Sequence, residues 1–71
     1  MSVKLELYRT FQEVAKTENI SLAAQNLYIS QSAVSQAIRQ LEDQLQVRLF
    51  SRSTKGVKLT GEGRMLAEYV T

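Results

Sequence analysis

The 71-residue chain has no histidine, no cysteine and no proline, and its net charge is +2 at pH 7. That length sets one small domain as the expectation, burying only about 60% of the surface of its unfolded chain. The missing residues exclude disulfides, Cys/His zinc sites, thiol chemistry and any histidine-based triad or general base, while the lack of proline suits a mostly helical chain. No run of about 18 apolar residues occurs, so no membrane span is expected. The opening MSVKLELYR carries acid and no apolar h-region. It therefore does not read as a signal peptide, and the cytoplasm is the expected location.

The placement of charge says more than its sum. From Arg48 to Arg64 there are five bases (Arg48, Arg52, Lys55, Lys58, Arg64) and one acid, Glu62; before Arg48, four bases meet five acids. Between Ser21 and Leu41 the single charged residue is Arg39. An acid-free middle followed by a basic third suits a polyanionic partner.

Along the chain, Leu7, Phe11, Val14 and Ala15 fall at i, i+4, i+7 and i+8, which predicts a first helix over Lys4–Glu18. Asn19 is the expected left-handed residue at its end, and Ser21 the expected N-cap of a short second helix, Leu22–Tyr28. There Ala23, Ala24 and Leu27 should face inward, and the paired alanines imply close approach of another helix. Ile29 and Ser30 interrupt the pattern. Ser30 is placed to cap a third helix, Gln31–Leu45, whose Val34, Ile38, Leu41 and Leu45 form the apolar stripe.

LFSR and VKL around STKG then predict a hairpin, with Gly56 free to take positive φ and Phe50, Val57 and Leu59 packing back on the helices. Thr60 caps a fourth helix with Leu66, Tyr69 and Val70 on its apolar side. The order of elements is a helix-turn-helix backed by a hairpin wing. The fold class is therefore mainly α with a short β-hairpin.

With Val34 at zero on a helical wheel, Ile38, Leu41 and Leu45 lie within about 40° of it, whereas Ser32, Ser35, Gln36 and Arg39 lie roughly between 100° and 200°. The outer face of the third helix is thus polar and never negative over its first two turns, with acid only at its far end, Asp43. A helix that enters the DNA major groove by its N-terminus needs this pattern. Serine and glutamine reach base edges without bulk, and Gln can pair two ways with adenine. Free N–H groups at the helix start favour phosphate.

An ordinary solvated face would explain the amphipathicity, but neither the missing acids nor the basic hairpin that follows. Arg52 and Lys55 flank the hairpin turn, where a wing meets phosphates or the minor groove; for Lys55 a solubilising surface charge is the competing reading. Tyr28 could touch a phosphate or be partly buried. Arg48 and Lys58 read as general phosphate attraction, and Arg64 is left undecided. GEG at Gly61–Gly63 lacks the lysine and spacing of a phosphate loop.

These residues resemble the N-terminal DNA-binding domain of LysR-type transcriptional regulators. The resemblance runs through FQEVAKTENISLAAQNLYISQSAVSQAIRQLEDQLQVRLFSRSTKGVKLTGEG and is most specific in AAQNLYISQSAVSQAIRQLE and LFSRSTKGVKLTGEG. It implies a winged helix-turn-helix domain over residues 1–59, and over residues 60–71 the start of a linker helix that pairs two subunits. It also implies promoter-DNA contact through Gln31, Ser32, Ser35, Gln36 and Arg39 on the third helix and through Arg52 and Lys55 on the wing. No catalysis, no cofactor in this domain and no membrane are implied.

Family members continue into an inducer-binding domain, missing from this chain, and act as homodimers or tetramers. Three positions depart from the family pattern. Gln46 replaces a frequent glycine, TGEG stands where TPAG is common, and Gln36 stands where many members have arginine. A winged-helix module for protein interaction and an enzyme are the alternatives; the first needs an apolar patch that the outer face of the third helix lacks, and the second needs chemistry that the composition does not supply.

Overall fold

The computed structural model describes residues 3–70. The elements run α1 (Val3–Thr17), α2 (Ile20–Leu27), α3 (Gln31–Leu45), β1 (Phe50–Ser53), β2 (Gly56–Leu59) and α4 (Gly61–Val70). This is the expected winged helix-turn-helix order. Leu7, Phe11 and Val14 of α1 are buried with Ala23 and Ala24 of α2 and with Val34, Ile38 and Leu41 of α3; Leu49, Phe50 and Val57 close the core from the hairpin side. The Phe11 and Phe50 rings meet at 5.5 Å between centroids, tilted by 52°, a favourable aromatic geometry. The buried Thr10 hydroxyl donates to the Glu6 carbonyl at 3.0 Å, so it brings no unsatisfied group into the interior.

The caps of the first two helices differ from expectation. Glu18, not Asn19, is left-handed, with φ 52°, and Asn19 is extended and caps α2, its side-chain oxygen accepting from Leu22 N at 2.9 Å. Ser21 lies inside the first turn. The reason is Ile20: it packs against the core in the same stripe as Ala23 and Ala24, at i, i+3 and i+4, so the helix must begin before it.

α2 stops at Leu27 rather than Tyr28. Tyr28 caps its C-terminus at φ 59°, ψ 38°, with Ile29 N donating to Ala24 O at 3.1 Å and Tyr28 N to Gln25 O at 3.2 Å, a Schellman pair. Gln46 ends α3 in the same left-handed conformation, φ 59°. A left-handed backbone costs a residue with a Cβ about 1–2 kcal/mol. Gln46 offsets part of this with an Nε2 bond to Asp43 O at 2.6 Å.

Ser30 caps α3 as expected, accepting from Ala33 N at 3.1 Å. The stripe on α3 ends at Leu41, however. Leu45 is exposed, because the core stops where the chain turns off α3 toward β1. Glu42 fastens that turn: its Oε2 accepts from Leu49 N at 2.8 Å and from Phe50 N at 3.3 Å.

In the wing, β1 and β2 pair antiparallel, with Phe50 opposite Leu59 and Arg52 opposite Val57. A two-residue turn, Thr54–Lys55, joins them, and Gly56 takes φ 123°.

Thr60 caps α4 through Gly63 N at 3.0 Å, and its hydroxyl also donates to Arg48 O. Gly63 is buried against Leu49, just before β1, and Leu59 of β2. A Cβ there would stand 2.1 Å from Leu49 O. Leu66, Ala67 and Val70 pack on the core as expected for the first and last, but Tyr69 is 87% exposed. Gly63 sets the buried side of α4, and Tyr69 lies roughly 100° around the helix from the face that Gly63, Leu66, Ala67 and Val70 share.

Candidate nucleic-acid interface

The expected reading residues stand on the outer side of α3. Burial of Val34, Ile38 and Leu41 fixes the helix rotation, and this leaves Ser32, Gln36 and Arg39 exposed, with Ser35 half-buried among them; Gln31, the first residue of the helix, is exposed as well. Polar contacts hold the start of α3, one of them reaching α2. Ser30 Oγ and Ser32 Oγ lie 3.2 Å apart, and Gln31 Nε2 donates to Ser21 Oγ at 3.4 Å. Ser21, expected as a cap, thus lies beside the opening of α3 instead. No carboxylate occurs between Glu18 and Glu42, and Asp43 is exposed at the far end of the helix. The surface can therefore approach a polyanion at its N-terminal end without like-charge repulsion.

Arg52 and Lys55 stand apart from α3, on the hairpin. Side chains of paired strand residues share a face, so Arg52 lies on the hairpin face of Phe50 and Val57. It is nonetheless exposed, as are Lys55, Arg48 and Lys58. The wing carries cations on both faces, Lys58 lying opposite Ser51 on the other one. Arg39 and Arg48 come together around a shallow depression at the end of α3 that Glu42, Asp43, Gln46 and Val47 also line. The acids there make it mixed in sign.

Tyr28 is 95% exposed, which sets aside its partial burial. The sequence carries no signal for that exposure, since a tyrosine after an apolar leucine reads equally well as a core residue. Among the described residues there is no cluster of His, Cys, Asp or Glu able to hold a metal ion. Nor is any described helix long and apolar enough to cross a membrane.

Residues 5–64 match the family model described as the bacterial regulatory helix-turn-helix protein, lysR family. The HTH-type transcriptional regulator HdfR of Escherichia coli O139:H28 is 50% identical over 64 residues, which is 90% of this chain and 23% of that protein. Among solved structures, oxidized Corynebacterium glutamicum OxyR superposes with a TM-score of 0.90 at 38% identity, over 97% of this chain and 21% of that one. The complex of the CbnR DNA-binding domain with DNA gives a TM-score of 0.87 at 32% identity, over 97% and 77% of the two chains. The complex of the BenM DNA-binding domain with catB site 1 DNA gives 0.86 at 32% identity, over 97% and 75%. The chain spans about a quarter of the length of HdfR. Family model, relatives and fold agree, and the chain belongs to the LysR family of bacterial regulatory helix-turn-helix proteins.

Proposed function

We propose that this chain is the sequence-specific, double-stranded DNA-binding domain of a bacterial LysR-type transcription regulator. The observation that carries this reading is the exposed, acid-free opening of α3 in a fold shared with DNA-binding domains solved on DNA. In it, Gln31, Ser32, Ser35 and Gln36 meet base edges in the major groove, Gln36 being able to pair two ways with adenine. Arg39, one turn farther, reaches a phosphate or a guanine. Arg52 and Lys55 on the wing hold the backbone and approach the minor groove.

The division into residues 1–59 as the DNA-binding unit and 60–71 as the opening of a linker helix belongs to the same proposal; Thr71 lies outside the described residues. A second copy paired through the continuation of α4 would set two reading helices about 34 Å apart on one face of the duplex. The full regulator would carry an inducer-binding domain, assemble as a dimer or tetramer and act in the cytoplasm. This domain would have no catalytic role and no cofactor of its own.

A duplex titration across salt concentrations tests the reading. Gln36→Ala relaxes preference at one or two base pairs by about 1–3 kcal/mol each. Arg52→Ala weakens binding to all sequences and lowers the salt slope by about 1. Unchanged preference in Gln36→Ala and Ser35→Ala would remove α3 as the reading element. The absence of salt-sensitive duplex binding by the unaltered protein would overturn the proposal as a whole.

A further inference from the structure

Tyr28 holds the largest unexplained side chain of the helix-turn-helix. It sits at φ 59°, in the left-handed region, and is 95% exposed. A bulky residue there is a conformational outlier, and outliers of this kind point to function when no internal contact accounts for them. None does here. The Schellman bonds that end α2 use the backbone of Tyr28 and would form with any residue that tolerates the conformation. Its ring is in solvent, and among the described residues its hydroxyl makes no hydrogen bond. Gln46, the comparable cap of α3, recovers a side-chain bond to Asp43 O.

The setting indicates what the ring meets. Tyr28 lies two residues before the Ser30 cap, at the end of α3 that opens the candidate interface. Residues 20–30 contain no charged side chain, so nothing on α2 or the turn repels a phosphate chain. Gln31 reaches back to Ser21, which joins the exposed side of α2 to the start of α3. A phenol combines an apolar plate, suited to a deoxyribose, with a hydroxyl that donates to a phosphate oxygen.

We propose that Tyr28 is a backbone anchor: its ring and hydroxyl pack on one sugar-phosphate unit beside the major groove and fix the depth and register of α3. The inference rests on the DNA-binding reading above. Tyr28 is uncharged, so its contact strengthens binding to every sequence and releases no counterion.

Tyr28→Asn and Tyr28→Phe test it. Asparagine accepts the left-handed backbone, so Tyr28→Asn unfolds at the same or a higher temperature than the unaltered protein. Its affinity for both a preferred and a random duplex falls about three- to ten-fold, the loss expected for one hydrogen bond with its packing. The ratio of the two affinities and the salt slope do not change. Tyr28→Phe keeps the backbone strain and loses only the hydroxyl, so it lies between the two.

Full affinity in Tyr28→Asn, with Arg52→Ala still weakened, overturns the anchor and leaves the DNA-binding reading standing. A lower unfolding temperature in Tyr28→Asn also overturns it, by giving the ring an internal role, as does altered self-association with unchanged duplex affinity. No duplex binding by the unaltered protein removes both proposals.

Discussion

Replacing Gly63 by alanine is a single-methyl test of how α4 is seated. Helix propensity alone favours the change by about 1 kcal/mol. The structure opposes it. The added Cβ would lie 2.1 Å from Leu49 O, 3.0 Å from Leu49 C and 2.9 Å from Leu59 Cδ2. The Leu59 side chain can rotate away, but the Leu49 carbonyl is backbone and accepts from Thr60 N at 3.0 Å. α4 must therefore retreat by roughly 1 Å, to ordinary van der Waals separation. That move stretches the Thr60 N–Leu49 O bond and the Thr60 hydroxyl bond to Arg48 O, and it loosens Leu66 and Val70 on the core.

Overpacking of this kind costs about 1–3 kcal/mol, and each weakened hydrogen bond adds about 1 kcal/mol. After subtraction of the propensity gain the net loss is about 2–4 kcal/mol. In a domain of this size each kcal/mol lowers Tm by about 4–8 °C, so thermal unfolding followed by circular dichroism should show a fall of about 8–32 °C. Gly61→Ala is the control, because a Cβ there meets nothing within 4 Å, and its Tm should hold or rise slightly. A Tm for Gly63→Ala equal to that of the unaltered protein would refute the seating of α4 against Leu49.

Two further stability changes follow from the caps. Asn19→Ala should destabilise by about 1 kcal/mol in urea unfolding, and Ser21→Ala by much less, because only Asn19 holds the free Leu22 N–H; the reverse order would restore Ser21 as the cap. Gln46→Gly should raise stability by about 1 kcal/mol through relief of its left-handed backbone, less the small contribution of the exposed bond to Asp43 O. A loss of stability in Gln46→Gly would mean that the side-chain bond outweighs the strain.

The helical part of the candidate interface was largely legible in the sequence, because it depends on one helix. Once Val34, Ile38 and Leu41 are assigned to the core, the wheel turns Ser32, Gln36 and Arg39 outward, with Ser35 at the edge of that face; Gln31, on the flank of the core stripe, is exposed because it lies in the first turn. The hairpin was legible from Gly56 and its flanking apolar pairs. Tyr28 was not: its place at the edge of the α2 stripe left phosphate contact and partial burial both open, and only the left-handed turn that ends α2 puts the ring in solvent. Glu42 was not either. Its carboxylate binds Leu49 N and Phe50 N, seven and eight residues on, and nothing in its helical neighbourhood marks it off from an ordinary surface acid.

What the sequence determined by itself was local. Periods of 3.6 residues gave the helices, Ser30 and Thr60 gave two of the starts, and the lack of acid between Glu18 and Glu42 marked the face proposed to meet DNA. These features arise from bonds and spacings within a few residues, so they survive without knowledge of the fold. Tertiary structure decided where each apolar stripe ends. Leu45 and Tyr69 satisfy the helical pattern but find no opposing surface, whereas Ile20 finds one and draws the start of α2 toward it. Gly63 shows the same division from the other side: as a sequence position it weakens a helix, and only the carbonyl of Leu49 pressed against it makes glycine necessary.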